Sequence, residues 1–412
     1  MTSTVAIARR HDLSRVDNLP ASERWIRRRV GLAWSLLILN VLTFYSSTWS
    51  GLPLAVHIPS AVGKLVTQGS LAFALLVAIS VNRRLLIRPN VFLCILSLLV
   101  VVAFAVILEP GHIGTIYRTF RFAGFVATLW LLTPYWGRRD MLLVRCYLVA
   151  ISIVLGTVLL GLVVAPRTAY AAGRLEGALW PYPPTQVAHF AAVTTGLILL
   201  LWLCGLVSGR LCLIAVLIGT AMLLATHTRT ALLAMVAGIF VGGLSLFTVK
   251  ARVRKLFAAA SLLLSLGAIT LSGVVTTWLA RGQSSAELTN LTGRTNVWSA
   301  ILDTPRNLFE TIFGFGMSNL SFNGLSIDSN WLGAYLDFGL LGVALCAAML
   351  LFLLVSAYFQ PVGPQRAIAL FLVTFCLLSS FTETGLSTPS LYMLELTLAA
   401  SLLVPPLRGR LV

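Results

Sequence analysis

Charge is scarce in this chain. Asp and Glu number 13 among 412 residues, and all charged types together make up 10%, where a soluble domain carries about 25%. With 58% hydrophobic residues, a water-soluble fold of this length would leave a largely apolar surface facing water, so that class is excluded. The ~10-residue segments of alternating hydrophobicity that build an outer-membrane barrel are missing as well. The six cysteines (Cys94, Cys146, Cys204, Cys212, Cys346 and Cys376) lie within or at the edge of apolar runs. None pairs with another at metal-ligand spacing, so they read as small buried hydrophobes rather than a zinc site or disulfide framework. No internal repeat and no low-complexity segment is visible. The polar, basic first 29 residues lead into an apolar run without a small-residue cleavage site, which reads as a retained anchor.

What is present is a succession of apolar runs near twenty residues long, the length that spans the ~30 Å hydrocarbon core as a helix. Backbone polar groups in lipid must be satisfied within the segment, so each run is expected to be helical. The expected fold class is therefore all-α: a polytopic transmembrane bundle of about twelve helices. They are placed at 30–47, 62–81, 91–108, 118–134, 142–165, 187–206, 211–226, 230–248, 257–276, 333–356, 367–381 and 389–405. Residues 1–29 form an N-terminal tail and 406–412 a C-terminal one. Helices one to nine occupy 30–276 and include an outer loop at 166–186. A large, partly helical extracytoplasmic loop covers 277–332, and the last three helices fall within 333–405.

The net charge of +17 invites a nucleic-acid reading, but its distribution excludes one. With the N-terminus inside, 21 of the 30 basic residues fall in the tails and short loops of one side, as the positive-inside rule requires. No basic domain or basic–aromatic module stands apart from these loops. Both termini and the 250–255 loop are thus expected to be cytoplasmic. Nine basic residues remain on the outer side: Lys64, Arg118, Arg121, Arg167, Arg174, Arg229, Arg281, Arg294 and Arg306.

These nine point to chemistry, because the rule that explains the others does not explain them. Arg229 lies in Thr226-His227-Thr228-Arg229-Thr230, between two abutting apolar helices. An arginine near bilayer depth costs ~2.5–3.5 kcal/mol on insertion scales. It either snorkels to the headgroups or holds an anion, its planar fork matching phosphate oxygens. Arg174 sits in a Gly- and Pro-shaped loop, with an exposed Arg174–Glu176 pair as the plainer alternative. Arg294 stands where a loop helix should begin. Among the outer acids, Asp328 is either the N-cap of the tenth helix or a base acting on a hydroxyl; Glu383 is the other candidate. His189 and His227 read first as hydrogen-bonded helix-end residues. Fixed cations with one or two carboxylates suit transfer from a pyrophosphate-linked sugar: the cations stabilise the leaving group, and a base receives the acceptor's proton.

Four stretches, in order, resemble the O-antigen ligase and O-antigen polymerase superfamily of bacterial membrane glycosyltransferases. They are Gly173-Arg174-Leu175-Glu176-Gly177 with Pro184-Thr185-Gln186, then Thr228-Arg229-Thr230-Ala231. Gly293-Arg294 with Trp298 and Gly314-Phe315-Gly316 follow, and last Asp328-Ser329 with Gly339-Leu340-Leu341-Gly342. Phe381-Thr382-Glu383-Thr384 is similar to a late segment of some members. The resemblance covers roughly 165–390. It implies an inner-membrane enzyme that transfers or polymerises an undecaprenyl-pyrophosphate-linked glycan, with a glycan or lipid acceptor and surrounding membrane lipids as partners; the sequence shows no metal-ligand cluster, so no metal or other cofactor is expected. It also implies that Arg174, Arg229 and Arg294 hold the pyrophosphate. Ligases carry a histidine where this chain has Asp328, which favours a polymerase-type member.

The other readings are a lipid-glycan flippase or secondary transporter, a dolichol-phosphate-sugar type transferase, and a purely structural membrane protein. Transporters commonly show repeated halves, absent here. The dolichol type has an acidic pair in its first outer loop, whereas residues 51–63 contain no acid. The charge bias makes one direct prediction. A cysteine introduced at Ser284 should react with an impermeant maleimide in intact cells. Labelling only after the membrane is opened would reverse the orientation.

Overall fold

The computed structural model describes residues 21–42, 60–107, 113–137, 141–170, 173–180, 182–270, 294–318, 321–322 and 325–405. Within them every one of the twelve apolar stretches is helical. The long helices are α1 (Ala21–Val41), α2 (Ser60–Val81), α3 (Val91–Ile107), α4 (Ile113–Leu132), α5 (Leu142–Val164), α7 (Pro184–Leu203), α8 (Gly209–Ala225), α9 (Arg229–Leu244) and α10 (Ala251–Thr270). After these come α13 (Asn330–Phe359), α14 (Pro364–Ser379) and α15 (Leu391–Leu403). Three short helices, α6 (Pro166–Ala169), α11 (Arg294–Leu302) and α12 (Leu308–Phe313), lie in the connections. A two-residue antiparallel pair, Ser321–Phe322 with Leu325–Ser326, is the one non-helical ladder among the described residues. The 277–332 segment is therefore partly helical where it is described, and 271–293 lies outside the described residues.

Helices α5, α7 and α13 are long and apolar enough to cross a membrane, and six further apolar helices are shorter. Their outward faces carry large apolar side chains, among them Val163 at 79% and Phe73 at 62% exposure. Such a surface suits lipid and not water. Helix α1 begins at Ala21, well before the apolar run. Arg24, Arg27, Arg28 and Arg29 thus ride on its first turns, since arginine is a good helix former and its long stem lets the charge snorkel outward.

Hydrogen bonds sort the helix ends into two groups. At one end Arg29 Nη1 donates to Ser80 Oγ, Asn82 Nδ2 to Leu131 O, Arg88 Nη2 to Pro405 O, and Gly137 N to Ser401 O. At the other end Arg118 Nη1 donates to Met317 O, Leu175 N to Ala225 O, and Asn330 N to Ser380 O. The core runs between these ends. Phe371 of α14 is wedged between Gly196 of α7 and Gly238 of α9, where a Cβ would lie 2.2 and 2.8 Å from its ring. Small residues let backbones approach closely where no hydrophobic gradient drives helices together.

Helix α13 is broken at Gly339 (φ 63°, ψ −160°). The 312–318 loop enters the break: Phe315 N donates to Leu336 O (2.8 Å), Gly316 N to Asp337 O (3.0 Å) and Ser318 N to Asp337 Oδ1 (3.0 Å). A Cβ on Gly339 would sit 2.4 Å from the Ile312 carbonyl, and one on Gly314 (φ 80°) 2.5 Å from the Asp337–Phe338 peptide. Both glycines are needed for φ > 0 and for close backbone approach. Gly339→Ala or Gly314→Ala should therefore lower stability by at least about 2 kcal/mol. Gly156→Ala, where nothing lies within 4 Å, should be neutral or slightly stabilising. Thermal unfolding in a fixed detergent compares the three, and equal midpoints would show that the close approach does not constrain the fold.

Candidate active site

The site is built around the turn between α8 and α9. Helix α8 ends at Ala225 and α9 begins at Arg229, with only Thr226, His227 and Thr228 between. So short a reversal forces His227 into the left-handed region (φ 51°), which non-glycine residues seldom occupy. The Gly173–Gly177 loop fastens this turn. Arg174 Nε donates to Thr226 O at 2.9 Å and Nη2 to Thr228 Oγ1 at 3.1 Å, while Leu175 N caps Ala225 O. Arg174 is therefore not one half of an exposed pair with Glu176. It binds the carbonyl of Thr226, the C-cap of α8, where a cation meets the negative end of the helix dipole.

Arg229 is placed in the opposite sense. It is the first residue of α9, with Thr228 as an N-cap that makes no side-chain cap bond. A cation there faces the positive end of the dipole, whereas an anion would be drawn by the guanidinium and by the helix N-terminus together. Helix α9 packs antiparallel on α14: Gly238 lies against Phe371, and Gly242 against Ala367. Carried along this register, Arg229 comes level with Ser380, the C-cap of α14.

Ser380 leads to the acids. Its carbonyl accepts from Asn330 N, the first residue of α13, and Asn330 Oδ1 in turn accepts from Gly385 N (3.2 Å) and Leu386 N (2.7 Å). These bonds bring the start of α13 and the 380–390 segment to the level of Arg229. Glu383 is half-buried on that segment, its N–H bonded to Ser379 O. Asp328 is half-buried and accepts from Ser326 Oγ at 3.1 Å. It is not the N-cap of α13: that position belongs to Ser329, in extended conformation. The helix begins at Asn330, three residues before the expected 333, and Asn330 bonds to the 380–386 backbone at that start. Arg294 opens α11, as its sequence context indicates. That helix docks through Ile301 onto Ile327 and Leu336, next to Asp328; the Arg294 side chain lies outside the described residues. The structure thus gathers Arg174, Arg229, Asp328 and Glu383 at one end of the bundle, with the α11 backbone beside them.

Three further arginines of the nine have structural duties. Arg118 binds Met317 O and Arg121 binds Asn40 O. Arg306 donates to Tyr335 O and lies over the Tyr335 ring at 4.0 Å. Burial lowers its pKa from the ordinary arginine value, with Tyr335 and Glu310 opposing.

Two buried acids escaped sequence reading. Asp337, fully buried beside the Gly339 break, receives Ser318 N. Glu395, also fully buried, joins four helices. Its Oε1 accepts from Tyr147 Oη of α5 and lies 2.6 Å from His189 Nε2 of α7, and Oε2 is 3.5 Å from Cys376 Sγ of α14. His189 is thus a hydrogen-bonded helix residue, as its position suggests. Only the presence of an acid inside an apolar run flags Glu395 in the sequence; its three partners come from distant helices.

No family model matches the chain, and no curated protein matches it.

Glu176 supplies a pH test of the loop. Burial raises its pKa above the ordinary carboxylate value, and the Arg174 charge opposes the rise. The folded state therefore favours the protonated acid. Its stabilising contribution is present at low pH and is lost as pH rises through the raised value. Glu176→Gln should raise the unfolding midpoint at pH 7–8 and lose that advantage toward pH 4. The gain should stay below about 1 kcal/mol because solvent screens a partly exposed group. An advantage that grows toward low pH would contradict this burial.

Proposed function

We propose that the chain is a cytoplasmic-membrane glycosyltransferase. It transfers or polymerises a lipid-pyrophosphate-linked glycan at the outer face, with both termini in the cytoplasm and all twelve long helices in the membrane. The observation that carries this reading is Arg229 at the N-terminus of α9, level with the 380–386 turn and the Asp328–Asn330 segment. Cation, helix N-terminus and carboxylates meet there, and a pyrophosphate beside a hydroxyl requires all three. Nucleotides are absent outside the cytoplasmic membrane, so the donor carries its own leaving group.

In the proposed reaction the acceptor hydroxyl oxygen attacks the anomeric carbon of the donor sugar. The bond from that carbon to the phosphate oxygen breaks, and its electron pair stays on the lipid pyrophosphate. Arg229, with the α9 N–H groups, offsets the charge that develops on that oxygen. Arg174 holds the turn that aims Arg229, and in this reading it and Arg294 add positive charge for the same anion. The hydroxyl proton passes to Asp328 or Glu383. Holding donor and acceptor together supplies the remainder.

A second reading, lipid-glycan flippase or secondary transporter, draws on one observation. Helix α13 is broken at Gly339, and the 380–390 segment is non-helical among packed helices; transporters use such interruptions at their substrate sites.

Purified protein in proteoliposomes, given a polyprenyl-pyrophosphate glycan, separates the readings. Longer chains mean a polymerase, transfer to a second acceptor a ligase, and relocation without covalent change a flippase. At matched membrane levels Arg229→Ala should lose at least about 10²-fold in transfer. Arg229→Lys should fail nearly as badly, because lysine keeps the charge and loses the fork. Asp328→Asn should fold normally and lose about 10²-fold or more. Full activity in Arg229→Ala would remove the cation from the site, and full activity in Asp328→Asn would transfer the role of base to Glu383.

A further inference from the structure

Two aromatic side chains on the segments that carry the candidate acids are used by no step above. Trp331 is the second residue of α13, three after Asp328. Phe381 lies just beyond Ser380, the C-cap of α14, and two before Glu383. Asn330 N donates to Ser380 O at 2.9 Å, which ties the two segments together at the residues preceding both rings. The ring centroids are 6.1 Å apart and the planes are tilted by 43°. Trp331 is half-buried against the core, whereas Phe381 keeps 53% of its surface exposed.

A place at the membrane interface does not account for this pair. Trp and Tyr gather there because the ring sinks into lipid while an N–H or O–H stays wet. Phe381 has no such polar end. The Trp331 Nε1–H is enclosed, with no hydrogen-bond partner among the described residues. The same is true of Thr382 Oγ1, on the residue after Phe381. Enclosed polar atoms of this kind cost free energy unless a partner reaches them. Two of them, in and next to one ring pair, suit a ligand that brings hydroxyls to an aromatic surface. A pyranose is such a ligand. Its ring face is a patch of C–H groups that meets the negative face of an aromatic ring, and its rim of hydroxyls both donates and accepts. Small-molecule sites commonly combine a mostly apolar lining with a few polar groups that fix orientation.

We propose that Trp331 and Phe381 form the platform of a pyranose-binding subsite, with the Trp331 N–H and the Thr382 hydroxyl bonding the rim of the sugar. The proposal rests on the transferase reading and narrows it. Asp328 and Glu383, the candidate bases, stand three and two residues from the platform. The sugar held there is therefore the acceptor's, and the attacking group is a sugar hydroxyl.

The test uses the full-length protein in nanodiscs, with binding read by saturation-transfer NMR, which reports contact between a ligand's C–H groups and the protein. The probes are the methyl pyranosides of glucose, galactose, mannose and rhamnose. Sorbitol is the control, an open-chain polyol with hydroxyls and no ring face. At least one pyranoside should bind, and sorbitol should not. Phe381→Leu keeps the apolar character and loses the π face, so it should weaken binding about two- to tenfold. Phe381→Tyr restores the face and should recover most of that loss. Trp331→Phe removes the N–H and should also cost about two- to tenfold. Phe359→Leu, at an exposed ring at the other end of α13, should bind like the parent. Binding of no pyranoside, equal binding of sorbitol, or an equal loss in Phe359→Leu would overturn the proposal. Parent-like binding in Phe381→Leu would do so as well and leave the rings as membrane anchors. Unfolding midpoints identify any misfolded variant, and Phe381→Leu, at an exposed position, then decides alone. Glycan transfer by the same samples keeps the two readings apart. Pyranoside binding without any covalent product removes the transferase and supports the subsite, whereas covalent product with parent-like binding in Phe381→Leu removes the subsite and retains the transferase.

Discussion

Backbone groups cut off from water must find partners inside the protein, and much of this structure follows from how that requirement is met. Straight helices meet it within themselves. Helix α13 does not, because Gly339 at φ 63° cannot continue the ladder. Peptide groups left unpaired in an apolar setting cost several kcal/mol each. The Leu336 and Asp337 carbonyls are instead met by Phe315 and Gly316 N–H from the preceding loop. The segment before α15 is handled in the same way: Asn330 binds Gly385 and Leu386 through its side chain and Ser380 through its backbone. These two sets of bonds leave little freedom in how the ends of α13, α14 and α15 lie against one another.

The candidate site inherits its geometry from them. Asp328 and Glu383 are carried on segments that Asn330 ties together, and the α9–α14 register brings Arg229 to the same level. The loop around Arg174 closes the other side by binding the carbonyl of Thr226. The strained His227 is held in the left-handed region by this surround, as strained residues generally are. A site fixed by backbone bonds from four segments needs no large domain to shape it.

Local patterns carried most of the fold and part of the site. Apolar length located all twelve long helices, and the abutting runs around Thr226–Thr230 announced the turn. The glycines of Gly314-Phe315-Gly316 and Gly339 are visible in the sequence, but their meaning is not, since each makes room for the other segment's backbone across more than twenty residues. Asp328 looked like an N-cap because local chemistry allows it; Ser329 takes the position because Asn330 is already bound to Ser380, a partner fifty residues away. Glu395 was invisible for the same reason, its partners Tyr147, His189 and Cys376 coming from three other helices.

These arginines show how placement sets the role of a residue when its type is constant. Arg118, Arg121, Arg174 and Arg306 each donate to a backbone carbonyl. A guanidinium in that role offsets carbonyl dipoles and caps chain ends, and its charge is incidental to topology. Arg229 begins a helix, where the dipole opposes its charge. The opposition can be offset by moving the charge outward to water or headgroups, or by bringing an anion to it. Arg174 then serves Arg229 twice over, by fixing the turn that precedes it and by adding positive potential beside it. That dependence makes Arg229 the residue on which the two functional readings divide. A transferase needs its fork at one bond-breaking oxygen, whereas a carrier needs only a charge that its ligand can leave.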